Sequence, residues 1–261
     1  TGAHSSAQIK ISGNVYGGGN EGDVKGNTTV TLRAGDLNRV FGGARMADID
    51  GRSYVNIDGE HASDYMLINY VYGGNDISGT VGKKTETSEA VASVPSELKK
   101  ADINHIDKTW DAFIRIGNTT KTRVADGVTK KLEIYIGQLF GGGNGDYDYD
   151  IVEGVHTIYE KGKKGDVNSI IATSTGDFNY PNLGKTYLEI LGGSIVYAFG
   201  GGNNATVSEK TVIHVENPSD VVNSIKVKTK EAEGENPEEW TELISDDRIA
   251  EMGLADRKSV V

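Results

Sequence analysis

Asn14-Val15-Tyr16-Gly17-Gly18-Gly19-Asn20 returns along the chain as Val40-Phe41-Gly42-Gly43-Ala44, Val71-Tyr72-Gly73-Gly74-Asn75, Leu139-Phe140-Gly141-Gly142-Gly143-Asn144 and Ala198-Phe199-Gly200-Gly201-Gly202-Asn203. Each copy joins an apolar residue to an aromatic, a run of glycine and, in most cases, asparagine. Such self-similarity marks an architecture whose units cannot bury their apolar faces alone and are completed by stacking on their neighbours.

A second element precedes most of these corners, an apolar-x-apolar triad: Ile9-Lys10-Ile11, Val30-Thr31-Leu32, Val55-Asn56-Ile57, Ile114-Arg115-Ile116, Leu188-Glu189-Ile190 and Ile213-His214-Val215. A period of two means strand. The triads start 21, 25, 59, 74 and 25 residues apart, so the unit is 21 to 25 residues long and two units carry long insertions. One unit reads as strand, glycine bend (Ala34-Gly35-Asp36, Leu191-Gly192-Gly193), short strand ending in the aromatic, glycine corner, and a return limb such as Gly22-Asp23-Val24-Lys25-Gly26. We therefore expect an all-β chain, a parallel β-helix (β-solenoid) of about six coils over residues 1–217. Glycine is expected at the corners both for positive φ and for the missing Cβ.

The insertions fall near residues 76–110, 117–131 and 145–185. The first contains Ser93-Val94-Pro95-Ser96-Glu97-Leu98-Lys99-Lys100, which predicts a short helix. The second predicts a hairpin turning at Asp126-Gly127, and the third a loop or irregular sheet. Residues 218–261 form a separate end piece. Ile225-Lys226-Val227-Lys228 predicts a last strand. Asn236 as N-cap, Pro237 at the first helical position, the stripe Trp240, Leu243, Ile244 and the stop at Gly253 predict a capping or junction helix.

Composition narrows the function classes. Glycine numbers 35, about twice the usual ~7 %, and proline only 4 without a three-residue period, which rules out collagen and Pro-rich linkers. The apolar fraction of 36 % suits a thin core. A formal charge of -11 argues against nucleic acid or an anionic membrane surface as partner. With no cysteine there are no disulfides, thiolate nucleophiles or Cys-ligated metals. No run approaches the roughly 18 apolar residues of a membrane helix. The chain opens at Thr1, and strand residues begin almost at once at Ile9. An open stack exposes strand edges at its ends. We expect the chain to be a segment of a longer surface protein, or to receive another copy or a partner at its N-terminal end.

The aromatic column Tyr16, Phe41, Tyr72, Phe140, Phe199 must face opposite to its neighbours Val15, Val40, Val71, Leu139 and Ala198. We expect the rings inside, stacked beside the corners; the alternative turns them outward as a platform for sugars. The asparagines Asn20, Asn75, Asn144 and Asn203 form a ladder expected to serve structure. Lys10, Thr31, Asn56, Arg115, Glu189 and His214, the triad centres, are expected on a solvated face, with Arg115 and Glu189 as an exposed pair worth a few tenths of a kcal/mol. Asp146, Asp148, Asp150 and Glu153 enclose Tyr147 and Tyr149, and the best binding candidates are Tyr147, Asp148, Tyr149 and Asp150. Long loops on a rigid scaffold concentrate binding residues. No cofactor is called for; calcium is the single candidate ion, through these carboxylates. A solvated loop is the plainer reading of the cluster. The histidines His4, His61, His105, His156 and His214 have no metal-ligand spacing, and neither a G-x-S-x-G elbow nor a phosphate loop is present. No catalytic set is assigned.

The stretch Val15-Tyr16-Gly17-Gly18-Gly19-Asn20-Glu21-Gly22-Asp23-Val24-Lys25-Gly26-Asn27-Thr28-Thr29-Val30-Thr31-Leu32 resembles the glycine-rich repeat of large secreted or surface proteins of gut Bacteroidetes and similar anaerobes. Those proteins are in turn similar to pectin-lyase-type right-handed β-helices. The resemblance covers about residues 8–217. It implies a right-handed helix, an extracellular or cell-surface bacterial location, and an adhesin-like or stalk-like non-enzymatic module that binds glycans, host proteins or partner proteins. The alternative is a carbohydrate-active enzyme, a polysaccharide lyase or glycoside hydrolase, because that fold class also carries such sites on outward Asp, Arg and Lys residues. This chain departs from their pattern, since Arg115 has no aspartate in its own column.

Overall fold

β-branched and aromatic residues alternating with polar ones favour extended backbone wherever one side of a strand can be buried, and extended backbone dominates the computed structural model. It describes residues 9–62, 65–83, 110–117, 122–125, 128–131, 133–216, 224–230 and 239–245. The first strands are β1 (Lys10–Tyr16), β2 (Thr28–Leu32), β3 (Asp36–Phe41), β4 (Ser53–Ile57), β5 (Tyr65–Tyr72) and β6 (Ala112–Ile116). A hairpin of β7 (Thr122–Ala125) and β8 (Val128–Lys131) leads to β9 (Glu133–Phe140). There follow β10 (Tyr147–Val152), β11 (Val155–Glu160), a 3-10 turn at Val167–Ser169, and β12 (Ile170–Thr175). The remaining strands are β13 (Asn182–Ile190), β14 (Ser194–Phe199), β15 (Thr206–Val215) and the pair β16 (Ser224–Lys230) and β17 (Glu239–Ser245).

The chain is nearly all β, but the expected single right-handed β-helix of about six coils is overturned. Two separate five-stranded parallel sheets form, in the orders β1-β3-β5-β9-β14 and β2-β4-β6-β13-β15, and a third, antiparallel sheet is made of β10-β11-β12. The six triads read as one series in the sequence, yet Ile9-Lys10-Ile11 does not belong with the other five. Lys10 lies opposite Asp36 and Ile11 opposite Leu37 in the first sheet, whereas Val30-Thr31-Leu32 lies in β2, the edge strand of the second. The segment after Asn144 pairs with itself. Glu153 and Gly154 both take positive φ, 50° and 78°, and close a two-residue turn between Val152 and Val155. Local antiparallel pairing through such a turn closes a far shorter loop than a parallel connection.

The expected C-terminal helix is also corrected: Trp240, Leu243 and Ile244 lie in β17, with Trp240 opposite Lys228 and Ile244 opposite Ile225. Trp, Thr and Ile suit a strand, and β16 provides the ladder partner that a short isolated helix lacks. Among the described residues there is no α-helix. The expected helix at 93–100, the turn at Asp126-Gly127, and Asn236, Pro237 and Gly253 lie outside them.

The two parallel sheets contribute facing aliphatic side chains to one core. Val40, Val71, Ile68, Ile136 and Leu139 come from the first sheet, and Val55, Ile57, Ile114, Ile116 and Leu188 from the second. Single parallel bridges Val24–Ile49 and Ile49–Val81 mark the return limbs, where Ala44, Ala47, Ile49, Val81 and Leu183 form a second cluster.

The corners continue the ladder of the first sheet. Gly17 N donates to Phe41 O (2.9 Å), Gly42 N to Tyr72 O (2.8 Å), Gly73 N to Phe140 O (2.9 Å) and Gly141 N to Phe199 O (2.9 Å). None of these glycines has a positive φ, which corrects half of the expected reason for them. Space is the other half. A Cβ on Gly17, Gly42, Gly73 or Gly141 would stand within 3.0 Å of the carbonyl oxygen of the next corner glycine. Positive φ belongs to the bends instead, at Gly35 (114°) and Gly193 (90°). A hydroxyl from the second sheet also reaches the corner carbonyls: Thr28 Oγ1 donates to Gly42 O (2.6 Å), Ser53 Oγ to Gly73 O (2.5 Å) and Thr186 Oγ1 to Gly200 O (2.6 Å). Ala112 interrupts this series, in register between Ser53 and Thr186.

Gly73→Ala is expected to destabilise the protein by about 3 kcal/mol, the upper part of the range for forcing atoms into a filled site. Gly22→Ala, where an added Cβ meets nothing within 4 Å, is expected to change stability by less than about 0.5 kcal/mol. Urea unfolding midpoints of the two variants check this, and equal midpoints contradict it.

Candidate functional site

Because strand residues alternate between faces, the ring column lies on the side of the first sheet opposite the aliphatic core. Tyr16, Phe41, Tyr72, Phe140 and Phe199 stack with centroids 5.0, 4.7, 5.0 and 4.9 Å apart and planes within 15° of one another. In-register parallel strands impose nearly this spacing on identical positions. The rings are thus neither within the aliphatic core nor an open platform. Phe41, Tyr72 and Phe140 form a cluster of their own and are 0 %, 2 % and 4 % exposed; only the end ring, Phe199, is open, at 45 %.

Two residues before the rings, a polar and aromatic row shares the same face. Asn14, Arg39, Tyr70, Gln138 and Tyr197 lie opposite one another in successive strands. The corner that follows β9 sets Asn144 and Asp146 beside this row, and the corner after β14 adds Asn203. Together Arg39, Tyr70, Tyr72, Gln138, Asn144, Asp146 and Asn203 line a cleft of about 290 Å³. The Arg39 guanidinium sits 5.4 Å from the Tyr70 ring centroid, and its Nε is buried without an acceptor. Asn203 Nδ2 donates to Asn144 Oδ1 (3.2 Å).

Behind the cleft stands Asp76, 1 % exposed. Its carboxylate accepts from Tyr16 Oη (2.6 Å), Tyr147 Oη (2.7 Å) and Asn144 Nδ2 (2.9 Å). Burial, reinforced by Asp76, pushes the Tyr16 and Tyr147 phenols well above their ordinary value. They remain proton donors at neutral pH. Asp76 is held as an internal anchor for three separate stretches of chain, not presented as a reactive carboxylate.

The sequence candidates Tyr147, Asp148, Tyr149 and Asp150 all lie in β10 and divide between its two faces. Tyr147 and Tyr149 pack with Met46, Ile77, Ile158 and Phe178, and Tyr149 Oη donates to Ile77 O (2.8 Å). Asp148 and Asp150 meet lysines: Lys161 is 3.6 Å from Asp148 and Lys164 2.9 Å from Asp150. Lys161 also lies 3.9 Å from Asp146. Among the described residues no group of three or more His, Asp or Glu is placed to hold a metal ion.

The corner asparagines divide in use. Asn20 Oδ1 accepts from Arg45 Nη1 (3.0 Å). Asn75 Oδ1 accepts from Ala44 N (2.7 Å) and its amide donates to Ala47 O (2.9 Å), so Asn75 serves the corner where Ala44 stands in place of asparagine. The expected solvated column is corrected. Thr31 is exposed and His214 half-buried, but Asn56, Arg115 and Glu189 are buried, Arg115 completely. Tyr54, Trp110, Phe113 and Tyr187 form an aromatic cluster on that face, and Arg115 pairs with Glu189 while its guanidinium lies 5.7 Å from the Phe113 ring centroid. A buried pair of this kind depends on both partners, because losing one strands the other charge.

Sequence reasoning did not single out Arg39, Tyr70 or Gln138, and read Asp76 only as one of the acidic residues that follow the corners. Arg39, Tyr70 and Gln138 stand at one repeat position, two before the ring, and that spacing was the available signal. Comparison with protein-family models, with characterised proteins and with solved structures finds no match. No helix of the described residues is long and apolar enough to cross a membrane.

The raised phenols fix a pH dependence. Unfolded tyrosine releases its proton near pH 10, while Tyr16, Tyr72, Tyr147 and Tyr149 hold theirs to higher pH, chiefly through burial. Their contribution to stability is complete below about pH 10 and fades as the pH rises toward the folded values. The melting temperature is therefore expected to fall above about pH 10, and Tyr147→Phe to make that fall shallower. Thermal unfolding followed across the alkaline range checks this; an unchanged slope in the variant contradicts it.

Proposed function

We propose that this chain is a non-enzymatic binding module of a secreted or cell-surface bacterial protein, and that it takes glycans in the cleft on the outer face of the first sheet. The observation that carries this reading is the lining of that cleft. Tyr70 supplies aromatic surface beside the buried Tyr72, and Arg39, Gln138, Asp146 and Asn203 bring polar groups to the same small space, with the buried Asn144 behind them. A sugar has that pairing of properties: apolar C–H faces suited to rings and a rim of hydroxyls suited to amides and carboxylates. Rigid strands hold the row in place, which is how a binding site is kept organised without its ligand.

The catalytic alternative has less support. Glycoside hydrolysis in most families uses two carboxyl groups flanking the bond to be broken, and the cleft offers Asp146 alone, since Asp76 is sealed behind it by three donors. The resemblance of the repeat to glycine-rich surface proteins of gut bacteria favours the same reading and is the ground for the location.

Calorimetric titration with a panel of plant and host glycans tests it. Saturable binding is expected, reduced at least about tenfold in Gln138→Ala, with no reducing or unsaturated ends released on long incubation. Sustained release of such ends, or no binding by any glycan, overturns the proposal.

A further inference from the structure

We infer that the cleft selects an acidic sugar at a glycan terminus, with Arg39 receiving its carboxylate; this rests on reading the cleft as a glycan site. Arg39 differs from the arginines whose guanidinium groups are engaged. Arg45 donates to Asn20 Oδ1 and Ile171 O, Arg33 is 3.7 Å from Asp58, and Arg115 is paired with Glu189. Arg39 makes no such contact among the described residues, and it lines the cleft. Its Nε is sealed within the protein, so the guanidinium can meet a ligand only through its terminal nitrogens. A guanidinium at a cleft with no carboxylate against it leaves those N–H groups to water or to a ligand's acceptor.

The form of that acceptor follows from the geometry. Tyr70 lies against the guanidinium, 5.4 Å from centroid to Cζ, and limits how the plane can turn. A guanidinium so held presents its N–H groups in a fork that matches a planar carboxylate through two parallel bonds. Further along the cleft, Gln138 and Asn203 offer amides, and Asp146, half exposed, accepts from hydroxyls. One end calls for an anion and the other for hydroxyls. A hexuronic acid or a sialic acid meets both demands within one residue, and the cleft, at the small end of ligand pockets of ~300 Å³ and upward, holds about one residue.

Charge limits the ligand further. The chain carries -11 overall, and repulsion between exposed charges is screened beyond roughly 10 Å in ordinary salt. A single terminal carboxylate seated on Arg39 escapes most of it. A polyanionic chain lying across the acidic surface does not. The selected ligand is thus a terminal acidic residue and not a polyuronate.

Methyl glucuronide and methyl glucoside differ only in carboxylate against hydroxymethyl, so calorimetry with these two probes on the full chain isolates the claim. Methyl sialoside and a 6-sulfated glucoside complete the set. The wild-type chain is expected to bind at least one of the two carboxylate sugars about tenfold or more tighter than the glucoside, the size of one charge-assisted contact. Arg39→Gln is expected to remove that preference in a chain that still unfolds cooperatively, and Arg39→Lys to restore only part of it, having the charge without the fork. Whichever acidic sugar binds tighter names the source. Equal affinities for acidic and neutral sugars, or a preference that survives Arg39→Gln, overturn the inference and leave the glycan reading standing. Tightest binding of the sulfated sugar overturns the carboxylate assignment. If none of the four sugars binds, the glycan reading itself fails and this inference with it.

Discussion

The close approach of one corner backbone to the next is the constraint on which the rest of the molecule depends. Gly17, Gly42, Gly73, Gly141 and Gly200 follow one another so tightly that the next carbonyl occupies the place of a side chain. This lets the ladder of the first sheet run on past its strands, through Gly18, Gly43, Gly74 and Gly142. Neighbouring strands are thereby locked in register at both strand and corner. A slip of one residue would exchange the aliphatic and ring columns and would also drive Tyr or Phe into a carbonyl. Ring stacking, the hydroxyls of Thr28, Ser53 and Thr186, and the polar row through Arg39 all inherit their alignment from that lock.

Much of this was legible and some was not, for definite reasons. The corners were visible because sterics admits only glycine there, and the alternating triads were visible because one face of each strand is buried. Which sheet a triad joins depends on partners far along the chain, so Ile9-Lys10-Ile11 was indistinguishable from Val30-Thr31-Leu32. Glu153-Gly154 is an uncommon turn pair for a two-residue hairpin, so the segment read as a loop or irregular sheet and its regular antiparallel pairing was not legible. Trp240, Leu243 and Ile244 fit a helical stripe as well as a strand; pairing with β16 decided the matter. Arg115 looked like a surface residue because a triad centre faces away from the aliphatic core. Nothing local showed that Trp110 and Tyr187 would bring a second apolar cluster to that face.

Asp76 shows how a polar residue can organise an outer face. It follows the third corner directly, and its three donors come from β1, from the corner after β9 and from β10. The carboxylate thus ties the antiparallel sheet to the edge of the parallel one and fixes Asn144, which borders the cleft. Burying a charge is tolerable only when donors replace water around it, and three donors held by separate segments make that satisfaction conditional on the whole arrangement being formed. Asn144, at the rim of the cleft, is therefore positioned by the fold and not by a loop of its own.

The parallel ladders have a mechanical consequence. Hydrogen bonds between neighbouring strands point along the direction in which the strands are stacked, and the corner bonds point the same way. Tension applied along that direction loads the interfaces in series, so the end strand peels away a bond at a time. Tension applied along the strands loads all the bonds of an interface together, as shear, and meets far greater resistance. A body built in this way is soft to traction on one axis and stiff on another, and the direction in which it is tethered decides how much force it survives.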